Sequence, residues 1–247
     1  MHKIHWQALL SAALLALSGL MYLAQYQLFH DLRNTGFYLL QDMAFVPLQV
    51  LIVTLIIDRL LSIREKQAML EKMNMAIGTF FSDVGTALLA RCAAFSPGSV
   101  EAVRQTVLFK TTWTRRDFRQ AVRTLATLAL PVDSRAGDLD ALRNFLIGKR
   151  PSLLNLLQNP NLLEHERFTS LLWATFHLTE ELAARETLRN APAADLNHLA
   201  SDLQRVYALL LKEWLAYLGH LQERYPYLFS FALRTNPFNP EARVQIE

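Results

Sequence analysis

An all-α fold is expected: an N-terminal two-helix transmembrane hairpin, a long helix continuing into the cytoplasm, and a C-terminal cytoplasmic helical bundle. Three observations predict it. Residues 6–26 read WQALLSAALLALSGLMYLAQY and carry no charged side chain. Residues 37–57 read FYLLQDMAFVPLQVLIVTLII and carry only Asp42. A helix needs roughly 20 mostly apolar residues to cross a bilayer, and both stretches reach that length. In the rest of the chain glycine is sparse, strand-like alternation is missing, and the helix formers Leu, Ala, Arg, Glu and Gln dominate. The chain has 247 residues, and the portion beyond the two spans suffices for one soluble domain.

The first stretch resembles a secretion signal, since Lys3 precedes it. Its apolar run is longer than a typical signal core, and Tyr22 spoils the small-residue cleavage pattern before Ala24. A retained hairpin over residues 1–57 is expected. Lys3 lies before the first span, and Arg59, Arg64, Lys66 and Lys72 come after the second. The connection 27–36 carries Arg33 beside Asp31. The positive-inside rule then places both termini in the cytoplasm. Trp6, Tyr22, Tyr26, Phe37 and Tyr38 fall near the span ends, where aromatic rings favour the interface.

Ala8, Ala12 and Ala16 recur every fourth residue and suit close helix packing in lipid, within the chain or between subunits. Asp42, Pro47 and Gln49 are the unusual residues of the second span. Asp42 and Gln49 share a helix face, and an ionisable group in a span usually avoids lipid. They either hydrogen-bond to the first span or form a polar line at a pore or subunit contact. Pro47 removes one backbone hydrogen bond.

No turn signal comes after Ile57, so one helix is expected to continue through 58–95. Ile63, Leu70, Ile77 and Val84 recur every seven residues, with Met73 and Phe80 between them. This heptad seam serves self-association or packs on its own domain. Gly78 and Gly85 permit close approach on a neighbouring face.

Ser96-Pro97-Gly98-Ser99 opens the domain 96–247, with Ser99 capping a new helix. Further helices are expected over 114–130, 137–146, 164–189 and 194–224, with turns at 131, 148–151, 159–161 and 190–192. The last carries Leu196, Leu199, Leu203, Val206, Leu210, Trp214 and Leu218 at helical spacing, as a central bundle element does. The tail from 234 holds two prolines and should leave the helix.

The formal charge of +3 is unevenly spread. Arg115, Arg116, Arg119 and Arg123 form a basic run with Asp117 as the one acid nearby, and residues 164–186 are mainly acidic. These faces pair, meet water, or, for the arginines, meet anionic lipid. No nucleic-acid motif accompanies the charge. Cys92 is the single cysteine, so no intrachain disulfide forms.

Phosphate loops, dinucleotide fingerprints, nucleophile elbows and zinc-protease motifs are missing. His177 and Glu181 are four apart, as are His198 and Asp202. They could hold a metal between bundle helices, but the chain offers no Glu-x-x-His repeat, and surface pairs at helical spacing explain the same residues more cheaply. No cofactor is required by any motif.

The segments YLLQDMAFVPLQVLIVTLIIDRLLSIREK and YPYLFSFALRTNPF resemble bacterial two-span inner-membrane proteins of no assigned activity. The resemblance covers most of the chain and implies a multi-pass protein of the bacterial inner membrane. It carries no functional residue. The leading expectation is a non-enzymatic, homo-oligomeric membrane protein for assembly, sensing or channel-like conduction, with the bilayer as partner. Two spans enclose no channel, so conduction requires an oligomer. The competing expectation is a membrane-tethered, metal-dependent enzyme using His177, Glu181, His198 and Asp202.

Overall fold

The computed structural model describes residues 2–162, 165–188 and 191–245. Glu164, Arg189 and Asn190 lie outside the described residues, as do the side chains of Lys3, Trp6 and Ala8. Among the described residues the chain is helical without strands. It divides into two compact units, Met1–Lys66 and Gln67–Glu247.

The first unit contains α1 (His2–Phe29) and the beginning of α2 (Leu32–Phe80). The expected ten-residue connection shrinks to His30 and Asp31. His30 takes a positive φ of 48°, and Asp31 starts α2 immediately. Its Oδ1 accepts the backbone N–H groups of Arg33 (3.0 Å) and Asn34 (3.1 Å), satisfying donors that a helix start leaves open. Pro47 lies inside α2 without ending it.

Among the described residues one helical run, Arg33–Ala94, is long and apolar enough to cross a membrane, and none of its most apolar window is buried. The expectation of a multi-pass protein with both termini in the cytoplasm is therefore corrected. Length and apolar composition select this single run.

The second unit is a bundle. At the end of α2 the backbone widens into a π turn (Phe81–Gly85) and continues as α3 (Thr86–Ala94). The Thr86 hydroxyl donates to the Phe81 carbonyl at 2.8 Å, filling an acceptor beside the widened turn. A Cβ at Gly85 would approach Phe81 Cδ1 to 2.6 Å, so this turn has no room for a side chain. Phe81 stacks on Tyr217 at 5.2 Å, and Gly78 leaves space for the Tyr217 hydroxyl.

The heptad seam divides. Met73, Ile77, Phe80 and Val84 are buried in the chain's own core, whereas Ile63 and Leu70 remain 42% and 43% exposed. The buried four have exchanged water for intrachain contacts and present no surface to another subunit.

Helices α4 (Val100–Val107), α5 (Arg115–Thr127), α6 (Leu139–Leu157), α7 (Glu166–Ala183), α8 (Ala193–Arg224) and α9 (Pro226–Arg234) complete the bundle. Ser99 occupies the cap position of α4, but its hydroxyl is engaged with Ser96 instead. Asp117 accepts both the Thr114 backbone N–H and its hydroxyl at 2.7 Å, anchoring the start of α5.

The expected turn at 148–151 is corrected, because Pro151 lies inside α6. Leu142, Leu146, Leu153 and Leu156 keep one face of α6 buried across the proline. Continuous burial outweighs the missing backbone donor there. Segment 159–161 turns as expected, through a 3₁₀ turn (Pro160–Leu162).

Helix α8 is the central element and packs on α3, α5, α7 and α9. Leu199, Leu203, Val206, Leu210, Trp214 and Leu218 are all buried, as their spacing predicts. The chain leaves the helix after Arg234.

Candidate metal centre

Helices α7 and α8 lie side by side and bring two i,i+4 pairs to one place. His177 and Glu181 come from α7, and His198 and Asp202 from α8. Both imidazole Nε2 atoms lie 3.4 Å from the same oxygen, Asp202 Oδ2. Glu181 completes the group, with Oε1 3.8 Å from His177 Nε2 and Oε2 3.6 Å from His198 Nε2. The ligand atoms of His177, His198 and Asp202 all lie within 4.8 Å of one another.

Asp202 is the anchor of the cluster. It is 2% exposed, and its Oδ2 is buried without a hydrogen-bond partner. A buried carboxylate oxygen ordinarily finds a donor, because leaving it unmet is costly. Its Oδ1 faces the Arg205 guanidinium at 3.4 Å. The two histidines are about half exposed, so the centre opens to solvent. A tetrahedral ion with bonds of about 2.0–2.2 Å separates neighbouring ligand atoms by about 3.4 Å. The His–Asp separations match that spacing with little movement.

Arg185 sets the register of the two helices. Its Nε and Nη2 donate to Asp195 Oδ2 and Oδ1 at 2.9 and 2.6 Å, a two-pronged bond to the first turn of α8. Its Nη1 donates to Glu181 Oε2 at 2.8 Å. These bonds hold the Glu181 carboxyl below its ordinary range, with the nearby histidines adding a smaller effect. Asp195 is lowered for the same reason, its bond to Arg185. Glu181 is therefore a committed anion at the edge of the cluster. The Arg185 backbone carbonyl accepts from Arg143 Nη1 at 3.1 Å, tying α6 into the same clamp.

A cleft of about 590 Å³ adjoins His177 and is lined by Trp173, Ser170, Thr169, Glu166 and Arg205. Trp173 is 56% exposed there, a large aromatic face left in water.

The other predicted residues are placed elsewhere. Tyr22 Oη donates to Asp42 Oδ2 at 2.7 Å, joining α1 to α2. Gln49 and Pro47 are exposed on α2. Arg115, Arg119 and Arg123 share one face of α5 and line a pocket beside α8, to which Arg116 does not contribute. Cys92 is fully enclosed, and burial pushes its thiol up to about 12, far from a reactive thiolate. Sequence reasoning missed the Arg185–Asp195 clamp. Those residues stand ten apart across a helix break, a spacing that no local pattern connects.

Residues 2–61 match the family described as MJ1433, N-terminal helical domain. Residues 69–234 match that described as Uncharacterized protein MJ1433, C-terminal helical domain. Over 244 residues the chain is 41% identical to the Uncharacterized protein MJ1433 of Methanocaldococcus jannaschii, across 99% of this chain and 98% of the relative. No solved structure matches. The relative is archaeal, which removes the expected assignment to a bacterial inner-membrane family. The chain belongs to the MJ1433 family, a family of helical domains.

Proposed function

We propose that this chain is a membrane-associated metalloprotein that holds one divalent transition-metal ion between α7 and α8. His177, His198 and Asp202 supply three ligand atoms, and Glu181 supplies a fourth ligand or holds a metal-bound water. One observation carries the reading: the unpartnered, buried Asp202 Oδ2 lies 3.4 Å from both imidazole Nε2 atoms. Mixed imidazole and carboxylate ligands suit zinc, iron or manganese. Three protein ligands with an open fourth position are the usual arrangement of a catalytic rather than a structural zinc. When bound, such an ion would supply Lewis-acid activation of water, the chemistry that hydrolysis needs. The adjoining cleft, with Trp173 and Arg205, gives a substrate somewhere to lie. The exposed apolar run of α2 takes the lipid bilayer as its surroundings.

Metal analysis of the full chain after gentle purification tests this. One ion per chain is expected, lost in the His177→Ala, His198→Ala double variant with the helix content kept. A protein that takes up no zinc, manganese or iron at micromolar concentration contradicts the reading.

A second reading is homo-oligomeric assembly, with sensing or conduction built on it. The exposed Ile63 and Leu70 favour it, because they leave the upper part of the heptad stripe uncovered. A monomer by mass in detergent and in nanodiscs would remove it.

A further inference from the structure

A second pocket, separate from the metal cluster, lies where α5 crosses α8. It is an open groove of about 570 Å³, a volume ordinary for a small-molecule ligand. Its rim and its floor differ in chemistry. Arg115, Arg119 and Arg123 arrive at i,i+4 spacing from α5, and Arg167 arrives from the start of α7. Phe118, Val122, Leu215 and Ala216 form an apolar floor. Phe118 and Leu215 are buried beneath it, and Val122 and Ala216 present the apolar surface that faces the pocket.

The rim charge is only partly neutralised. Arg115 pairs with Glu223, the one acid lining the pocket. Arg119 Nε donates to the Arg115 carbonyl at 3.3 Å, a bond that leaves its charge uncompensated. Arg123 has no ion-pair partner among the described residues. Arg167 lies 3.2 Å from Glu213 beneath the rim but remains 61% exposed. His220 also lines the pocket, and burial with the nearby Arg224 keeps its imidazole below the ordinary range.

Guanidinium groups recognise phosphate and carboxylate through paired N–H donors. A free anion would use the rim and leave the apolar floor wet. A neutral apolar ligand would use the floor and leave the cations unpaired. We propose that this pocket binds one anionic amphiphile, with its phosphate or carboxylate head on Arg119, Arg123 and Arg167 and its apolar body over Val122 and Ala216. The same head chemistry occurs on membrane phospholipids and on soluble acyl phosphates, and both place an apolar chain beside the charge.

Short-chain phosphatidic acid, kept below its micelle concentration, is titrated into the full chain in a mild neutral detergent. Matched short-chain phosphatidylcholine and inorganic phosphate are the comparisons. Saturable binding of one phosphatidic acid per chain is expected, at least tenfold tighter than the other two. Arg119→Gln with Arg123→Gln should weaken it tenfold or more. Ala216→Trp, which fills the pocket without changing charge, should do the same and serves if the arginine variant folds poorly. Equal affinity for phosphatidylcholine overturns the proposal, as does undiminished binding by Ala216→Trp. Inorganic phosphate binding as tightly as phosphatidic acid reduces the site to a simple anion site and overturns the amphiphile. Association with anionic vesicles but not with the monomeric lipid also overturns it, in favour of a surface contact.

Discussion

At the residue scale, one buried ionisable group contributes against the fold at neutral pH. Glu213 is 3% exposed, and its Oε1 lies 3.2 Å from Arg167 Nε without an aligned hydrogen bond. Burial raises its carboxyl above the ordinary value of 4.5, and Arg167 and His165 oppose that rise without cancelling it. A carboxyl raised in the folded state stabilises the protein below its unfolded value. That contribution is lost as pH rises through the folded value. Glu213→Gln keeps the shape and removes the charge. Its melting temperature should exceed the wild type's at pH 7, and the difference should vanish as pH falls below 4.5. Equal melting temperatures at both pH values would show that Arg167 compensates Glu213 fully. Asp202 is the contrasting case. It is equally buried, but two imidazole Nε2 atoms lie 3.4 Å from its Oδ2, the convergence on which the proposed metal site rests. Burial of a carboxylate alone marks no site; convergence of donors around it does.

At the element scale, the proposed metal cluster depends on how α7 and α8 are set against each other. Arg185 joins the last turns of α7 to the first turn of α8 through Glu181 and Asp195. Outer partners of metal ligands commonly change affinity by about 10- to 100-fold when removed. Arg185→Ala should weaken zinc affinity within that range, measured by competition with a chelating dye, while far-UV circular dichroism stays unchanged. An unaltered affinity would assign Arg185 to helix packing alone. The helices themselves were largely legible. The apolar stripe from Leu199 to Leu218 foretold the buried face of α8, since periodicity reports burial directly. Gly148 and Pro151 misled in α6, because local breaker signals carry no information about the leucines that bury the helix on both sides. The four residues of the proposed metal cluster were visible as two pairs. Their union was not, because it depends on the register between α7 and α8, which Arg185 and the side chains between the helices set. The heptad stripe shows the same limit. Its spacing is compatible with a partner chain or the chain's own core, and for Met73 onward the core occupies it.

At the scale of the whole molecule, the two units make opposite demands on their surroundings. The bundle buries its apolar side chains internally, with Phe80, Phe81, Leu146 and Tyr207 at 1% exposure or less. The residues of α2 around Leu51 bury nothing within the chain, and Leu51 itself is 55% exposed. Water penalises such a surface at roughly 25 cal/mol per Å², whereas lipid does not. Asp42 fits the same account, since the Tyr22 hydroxyl satisfies one of its oxygens where lipid would offer no donor. The full chain, expressed in cells, should therefore stay in the membrane pellet through alkaline carbonate extraction. Leu51→Arg places a charge in the apolar run, where a central arginine costs about 2.5–3.5 kcal/mol of insertion. It should shift a substantial share of the protein out of the carbonate-resistant pellet. Its metal content per chain should stay the same, because His177, His198 and Asp202 lie in the other unit. Release of the wild-type chain by carbonate would show that α2 is covered by protein instead of lipid. A metal content that fell together with membrane retention would show that the bundle does not hold its site independently of the apolar helix.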